Sequence, residues 1–235
     1  MQSAESTLFS MLVEDLSLAH ASTFLKQYAR RTAIIYKEAE SRSFKDDDIH
    51  EAYKSYHYGQ TRFTLHQSMF LKVAEECGIE WDIDRCPQNG FPSAVVKVGR
   101  FFFTDHYGAT PQEITCLNAS LMRKQSSLVN NSLIQLKLFE PAFDESKLRN
   151  AESIYANFIH GCRGVGNDFN LYGFLRIAIP CVSKAESTKD AERTLRFVEN
   201  HNLHDVIAKV VEQEGQTKKA QPTIDLAVPK IKASK

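Results

Sequence analysis

The chain is poor in the residues that build specialised scaffolds. Of 235 residues, ten are glycine, seven proline and five cysteine. So little glycine and proline, with no repeat, excludes a collagen-like or low-complexity chain. Cys77, Cys86, Cys116, Cys162 and Cys181 are odd in number, widely spaced and never arranged as CxxC. A disulfide framework would use an even, denser set in a shorter chain, so reduced thiols are expected. An excess of one charge is also missing, with 29 Lys and Arg against 29 Asp and Glu. That balance excludes binding to nucleic acid by bulk charge alone. No window approaches the roughly 18 consecutive apolar residues of a membrane span. The first twenty residues carry Glu5, Glu14 and Asp15 without a lysine or arginine, which is not a signal peptide. A cytoplasmic protein with no membrane partner is expected.

What is present is ordinary for a globular domain: 43% apolar and 25% charged residues. Charge is nevertheless uneven. Residues 216–235 hold five lysines, among them Lys218 and Lys219, against Asp225 alone. A single domain over 1–215 followed by a basic tail over 216–235 is the expected organisation. Within the tail, Ile224, Leu226 and Val228 alternate. Residues 223–228 could therefore add a strand to a sheet edge, in this chain or in a second copy of it.

Apolar periodicity separates the elements. Phe9, Val13, Leu16, Phe24 and Tyr28 recur at helical steps through 5–40, with Ser17 and Ser22 marking a break near 17–22. The acidic run Asp46–Asp48 reads as a helix N-terminus, since carboxylates there meet free backbone N–H groups. Neighbouring helical side chains point about 100° apart, so three in a row do not converge on one metal ion. A further helix is expected after Gly59, burying Phe63, Phe70 and Ala74 and closing at Gly78. SAVVKV and FFFTDHY, split by Gly99-Arg100, read as a β-hairpin. Thr110-Pro111-Gln112-Glu113 is a capping box with proline at the first helical position, predicting a long helix as far as Leu136. Residues 153–160 and 172–179 read as two more strands, with Pro180 ending the second. Ser183, Ala191, Leu195 and Val198 predict a helix, and Leu203, Val206, Ile207 and Val210 another that closes at Gly215. The expected fold is α+β: N-terminal helices, two β-hairpins in one antiparallel sheet packed on helices, and C-terminal helices.

No strong catalytic motif occurs. GxGxxG, GxxxxGK[ST], GxSxG and HExxH are all absent. His201 and His204 offer two imidazoles without a further ligand pair, so no metal residue is assigned. A hairpin nuclease would want an acid two positions before Lys97, and Val95 stands there. The best candidate is the connection between the two later strands. His160 and Asp168 are its candidate catalytic residues, His160 as general base. Arg163, Asn167 and Arg176 would bind an anionic group, and the tail adds Lys218 and Lys219. Cys162 beside Arg163 could hold a lowered pKa. Two functions compete. One is a non-enzymatic binding or regulatory module for a macromolecular partner, protein or nucleic acid, acting partly through the tail. The other is a hydrolase or nuclease with its site on the 160–176 connection. Neither implies a particular cofactor.

Overall fold

The computed structural model describes residues 6–85, 90–108, 115–116, 121–136, 141–162, 172–182 and 195–220. The N-terminal break falls where the serines suggest it. Helix α1 (Thr7–Leu16) stops at Ser17, and α2 (Ala19–Phe44) resumes after Leu18. Helix α3 (Glu51–Glu76) runs straight through Gly59, so the two stretches expected there are one helix. The aspartate run does not cap it. Asp46 Oδ1 instead accepts from the Asp48 N–H in a turn, and the imidazole of His50 accepts from the Ala52 N–H as the N-cap. At the other end Gly78 has φ +67°. Gly78 N–H bonds Glu75 O and Ile79 N–H bonds Ala74 O, the paired bonds of a Schellman stop.

A seven-stranded sheet backs the helices, in the order β1-β2-β3-β7-β8-β9-β4. Its strands are β1 (Glu80–Arg85), β2 (Pro92–Val98), β3 (Phe101–Tyr107), β4 (Thr115–Cys116), β7 (Ile154–Cys162), β8 (Tyr172–Val182) and β9 (Leu195–Asn202). A separate small ribbon pairs β5 (Ile134–Leu136) with β6 (Pro141–Phe143). Helix α4 (Leu121–Asn131), the short α5 (Glu145–Arg149) and α6 (Leu203–Ala220) are the other elements of the described residues. The fold is α+β, and the two hairpins do share one sheet. They meet through a parallel pairing of β3 with β7, in which Tyr107 lies opposite His160; every other pairing in the sheet is antiparallel.

Three expected helices are corrected. Thr115–Cys116 pairs with β9 opposite Arg196 and Leu195, so no unbroken helix can run from Pro111 to Leu136. Residues 110–113 themselves lie outside the described residues. Leu195 and Val198 lie in strand β9, because Leu195 and Phe197 bury one face of an alternating segment. Gly215 does not close α6, which continues to Ala220. Strand β8 also continues past Pro180, where a register shift between Ile179 and Pro180 accommodates the missing N–H. Residues 223–228 lie outside the described residues.

Alternation along the strands decides what lies on each face. Phe101 and Phe103 on β3, and Ile154, Ala156 and Phe158 on β7, point toward α2, α3 and α6 and fill one continuous core. Asp15 at the end of α1 locks this layer to the β2–β3 turn. Its carboxylate accepts from Arg100 N–H, Nε and Nη2 at 2.9–3.0 Å. Gly99, at φ +56°, must be glycine there, since a Cβ would come within 2.5 Å of Asp15 Oδ2. Helix α4 covers the opposite face, where the Asn130 amide donates to Tyr155 O and Pro180 O. Among the described residues, no helix is long and apolar enough to cross a membrane.

Candidate functional site

Continuing the same alternation places Asp105 and Tyr107 on the core side of β3, and His160 on the core side of β7. The helices above add polar groups to otherwise apolar stripes. Tyr28, Thr32 and Tyr36 follow Phe24 at four-residue steps on α2, all buried. On α3 the stripe Tyr58, Arg62, His66, Phe70 carries an arginine and a histidine one turn apart. Burying such groups is costly unless they are paired or serve a ligand.

The three elements bring His66, Asp105 and His160 together, with a ligating atom of each within 4.8 Å of the others. All three side chains are 4% exposed or less. The Tyr28 hydroxyl donates to Asp105 Oδ1 at 2.6 Å. Tyr36 Oη and His160 Nδ1 share a hydrogen bond of 2.7 Å. His160 Nε2 then faces Asp105 Oδ1 at 3.7 Å, and His66 Nδ1 lies 3.3 Å from Oδ2. The His66 contact lacks hydrogen-bond alignment, which leaves both His66 ring nitrogens and Asp105 Oδ2 buried without a hydrogen bond. The two imidazoles stack, with centroids 3.7 Å apart and planes 5° from parallel. Gln67 pins the helix above them, donating to Asp105 O and accepting from Ala94 N–H.

Electrostatics follow from this packing. Burial alone would raise the pKa of Asp105, but His160, His66 and the Tyr28 hydroxyl outweigh it and hold the carboxyl well below the usual range. Burial, reinforced by His66, pushes the His160 imidazole well below its ordinary value. One buried negative charge therefore faces the His160 imidazole, whose own charged form burial disfavours.

Arg62 stands beside the cluster. Its guanidinium carbon lies 4.0 Å from the Tyr107 ring centroid, 5.0 Å from Tyr58 and 5.4 Å from Tyr36. Nη1 donates to Cys162 Sγ at 3.3 Å, and Tyr107 Oη points at the same sulfur from 3.7 Å. No carboxylate of the described residues pairs with Arg62. A partly open cavity of about 320 Å³ lies among Arg62, His66, Asp105, Tyr107 and His160, with Phe63 and Phe91 as its apolar wall. A larger and shallower groove of about 820 Å³ lies between α1 and α6. There Arg100 is already committed to Asp15 and Glu14, and no buried titratable cluster faces the space.

Of the described residues singled out from sequence, His160 lines this cavity and Cys162 lies beside it as the acceptor from Arg62. Arg176 does not join it. It sits opposite Ile159, whereas His160 sits opposite Leu175, so the two project from opposite faces of the sheet. The Arg176 guanidinium is bound to the side chain and carbonyl of Asn200. Gly161 is needed for packing, because a Cβ there would strike the Phe174 ring. Arg163, Asn167 and Asp168 lie outside the described residues. So do the side chains of Lys218 and Lys219, whose backbone forms the last turn of α6. His201 hydrogen-bonds Glu199 from β9, while His204 follows on α6, so they do not sit one turn apart on a helix. His66, Arg62 and Asp105 join the site without a sequence motif to mark them. The signal available for the first two was a pair of polar residues on a helical stripe counted only for its apolar members.

No protein-family model, no curated protein and no solved structure matches this chain.

Proposed function

We propose that the protein is an enzyme that hydrolyses a small ester carrying an acidic group, phosphate or carboxylate, inside the 320 Å³ cavity. The observation that carries this reading is the arrangement around that cavity. A buried carboxylate facing two stacked imidazoles has unpartnered polar atoms at one wall, and an arginine without a carboxylate stands at the other. Convergent polar groups in a partly apolar pocket of about 300 Å³ or more are what small-molecule sites present. The cavity is too small to take a nucleic-acid duplex, whose width is on the order of 20 Å given grooves of about 12 Å and 6 Å. Arg62 would hold the acidic group, with its orientation fixed by three tyrosine rings. Water would supply the attacking oxygen. Its proton would pass to the Asp105–imidazole group, which would return a proton to the departing oxygen. His160, oriented by Tyr36, is the imidazole placed for that return.

The alternative is a non-enzymatic module for a macromolecular partner that acts through its helical surfaces and the basic tail over 216–235, of which the part beyond residue 220 lies outside the described residues. The test is calorimetric titration with inorganic phosphate, followed by turnover of small phosphate and carboxylate esters. One phosphate per chain is expected, with turnover reduced about 10²–10⁴-fold in Asp105→Asn. Absence of saturable phosphate binding, or turnover indifferent to Asp105→Asn, would overturn the reading.

A further inference from the structure

We infer that His66, Asp105 and His160 form a binding site for a divalent first-row transition ion of the zinc class. The inference rests on reading this cluster as the functional site, and its geometry adds three independent observations.

The first is the donor set. Two imidazoles and one carboxylate, contributed by α3, β7 and β3, are a combination that suits zinc and its neighbours and leaves coordination positions open for water or substrate. The open side here is the cavity, which all three residues line.

The second is the spacing. Donors bound about 2.0–2.1 Å from a tetrahedral ion stand about 3.3 Å from one another. His66 Nδ1 and Asp105 Oδ2 are 3.3 Å apart without hydrogen-bond alignment. As a direct bond the contact is poor, whereas as two ligands flanking an ion it has the right separation. His160 Nε2 faces the same carboxylate, 3.7 Å from Oδ1, and one ligand atom of each of the three residues lies within 4.8 Å of the others.

The third is the support behind the donors. Ligating groups are held by partners on their far side. Tyr28 occupies Asp105 Oδ1 and leaves Oδ2 without a hydrogen bond, and Tyr36 occupies His160 Nδ1, so that Nε2 is the ring nitrogen facing the carboxylate. His66 has neither nitrogen in a hydrogen bond. Stacked rings keep their lone pairs in parallel planes, so one ring must turn for both to meet the same ion. His66 is the one unpinned to do so, and the cavity beside it supplies the room. A bound ion would also satisfy Asp105 Oδ2 and one of the two His66 ring nitrogens that the cluster now leaves without a hydrogen bond. Polarising a water at the open position is the chemistry such an ion brings to hydrolysis.

The experiment uses the untagged full chain, stripped of metal and titrated with Zn²⁺ by calorimetry, then with Co²⁺ by visible absorption. One ion per chain is expected, with ligand-field bands of low-symmetry four- or five-coordinate Co²⁺. His66→Gln and Asp105→Asn should weaken zinc about 100-fold or more, and Tyr36→Phe about tenfold, since outer partners alone are worth about 10–100-fold. Far-UV circular dichroism checks that each variant is folded. Tyr36→Phe, the mildest change, keeps the test alive should the other two unfold. No stoichiometric ion in the wild type, or affinity unchanged in the variants, would overturn the inference. Phosphate binding that persists without zinc would then leave the hydrolase reading standing. Zinc binding with no phosphate binding would instead sink that reading and keep the metal site.

Discussion

The central sheet buries a polar cluster on each face, and the two are built differently. On the helix-rich face, His66, Asp105 and His160 carry a charge, leave three atoms without hydrogen bonds and adjoin a cavity. On the opposite face, Thr104 Oγ1 meets His106 Nε2 at 2.6 Å, Tyr155 Oη at 2.7 Å and Asn157 Oδ1 at 3.1 Å. That second cluster contains no carboxylate. Burial, helped by Arg123, pushes His106 well below its ordinary pKa, and burial pushes the Tyr155 hydroxyl up to about 12. Thr104, His106, Tyr155 and Asn157 are bound to one another beside the buried charge of Arg123, and of these four only Asn157 has a buried atom, Nδ2, left over. A satisfied neutral network stabilises a fold. An unsatisfied charged one beside a cavity costs stability and is retained for a ligand.

Substitutions sharpen this contrast. The largest effect on stability is expected on the α4-covered face, at Asn130. Its amide donates to Tyr155 O and Pro180 O and accepts from Tyr155 N–H. Asn130→Ala strands three buried backbone groups and should lower the unfolding free energy by about 3–5 kcal/mol in urea titration. Phosphate affinity of the folded fraction should not change. On the helix-rich face, Arg62→Met should raise the phosphate Kd about 10–100-fold with a smaller change in stability, because a hydrogen bond to a charged group is worth about 1.5–3 kcal/mol. A loss of stability without a loss of affinity would reverse the roles assigned to the two faces.

The neutral cluster also sets an acid sensitivity. His106 has a folded-state pKa below its unfolded value, so the unfolded chain binds the extra proton. Stability is therefore full above the ordinary histidine value of about 6.5 and declines as pH falls through it, by up to about 1.4 kcal/mol per pH unit. Replacing His106 by Gln should flatten that decline in urea titrations at successive pH values. The smallest effect is expected at Arg176, which is bound to Asn200 and faces away from the cavity. Arg176→Met should change phosphate affinity less than about twofold, within ordinary scatter for a residue remote from a site.

How far the sequence reveals this arrangement depends on the range of the interactions. Local chemistry is legible. The Gly99-Arg100 hairpin, the break at Ser17 and the stop at Gly78 are each set by a few adjacent residues. Leu195–Asn202 is not, because Leu195 and Val198 fit a helical step as well as Leu195 and Phe197 fit a strand. Pairing with β8 and β4 decides in favour of the strand. The site is legible only at His160, whose strand is evident. Asp105 reaches it through the parallel β3–β7 pairing across some fifty residues, which no local pattern announces. His66 and Arg62 lie on a helix whose apolar residues draw attention away from them. Arg176 and His160 flank one connection in the sequence, yet alternation puts them on opposite faces.

The most direct measurement is the unfolding free energy of His66→Leu against the wild type in metal-free buffer. If the cluster exists for a ligand, removing two buried nitrogens that lack hydrogen bonds should leave the protein as stable or about 1 kcal/mol more so, while zinc and ester turnover are lost. A loss of about 2 kcal/mol or more, with no change in ligand binding, would show that His66 holds the fold together and would contradict the account.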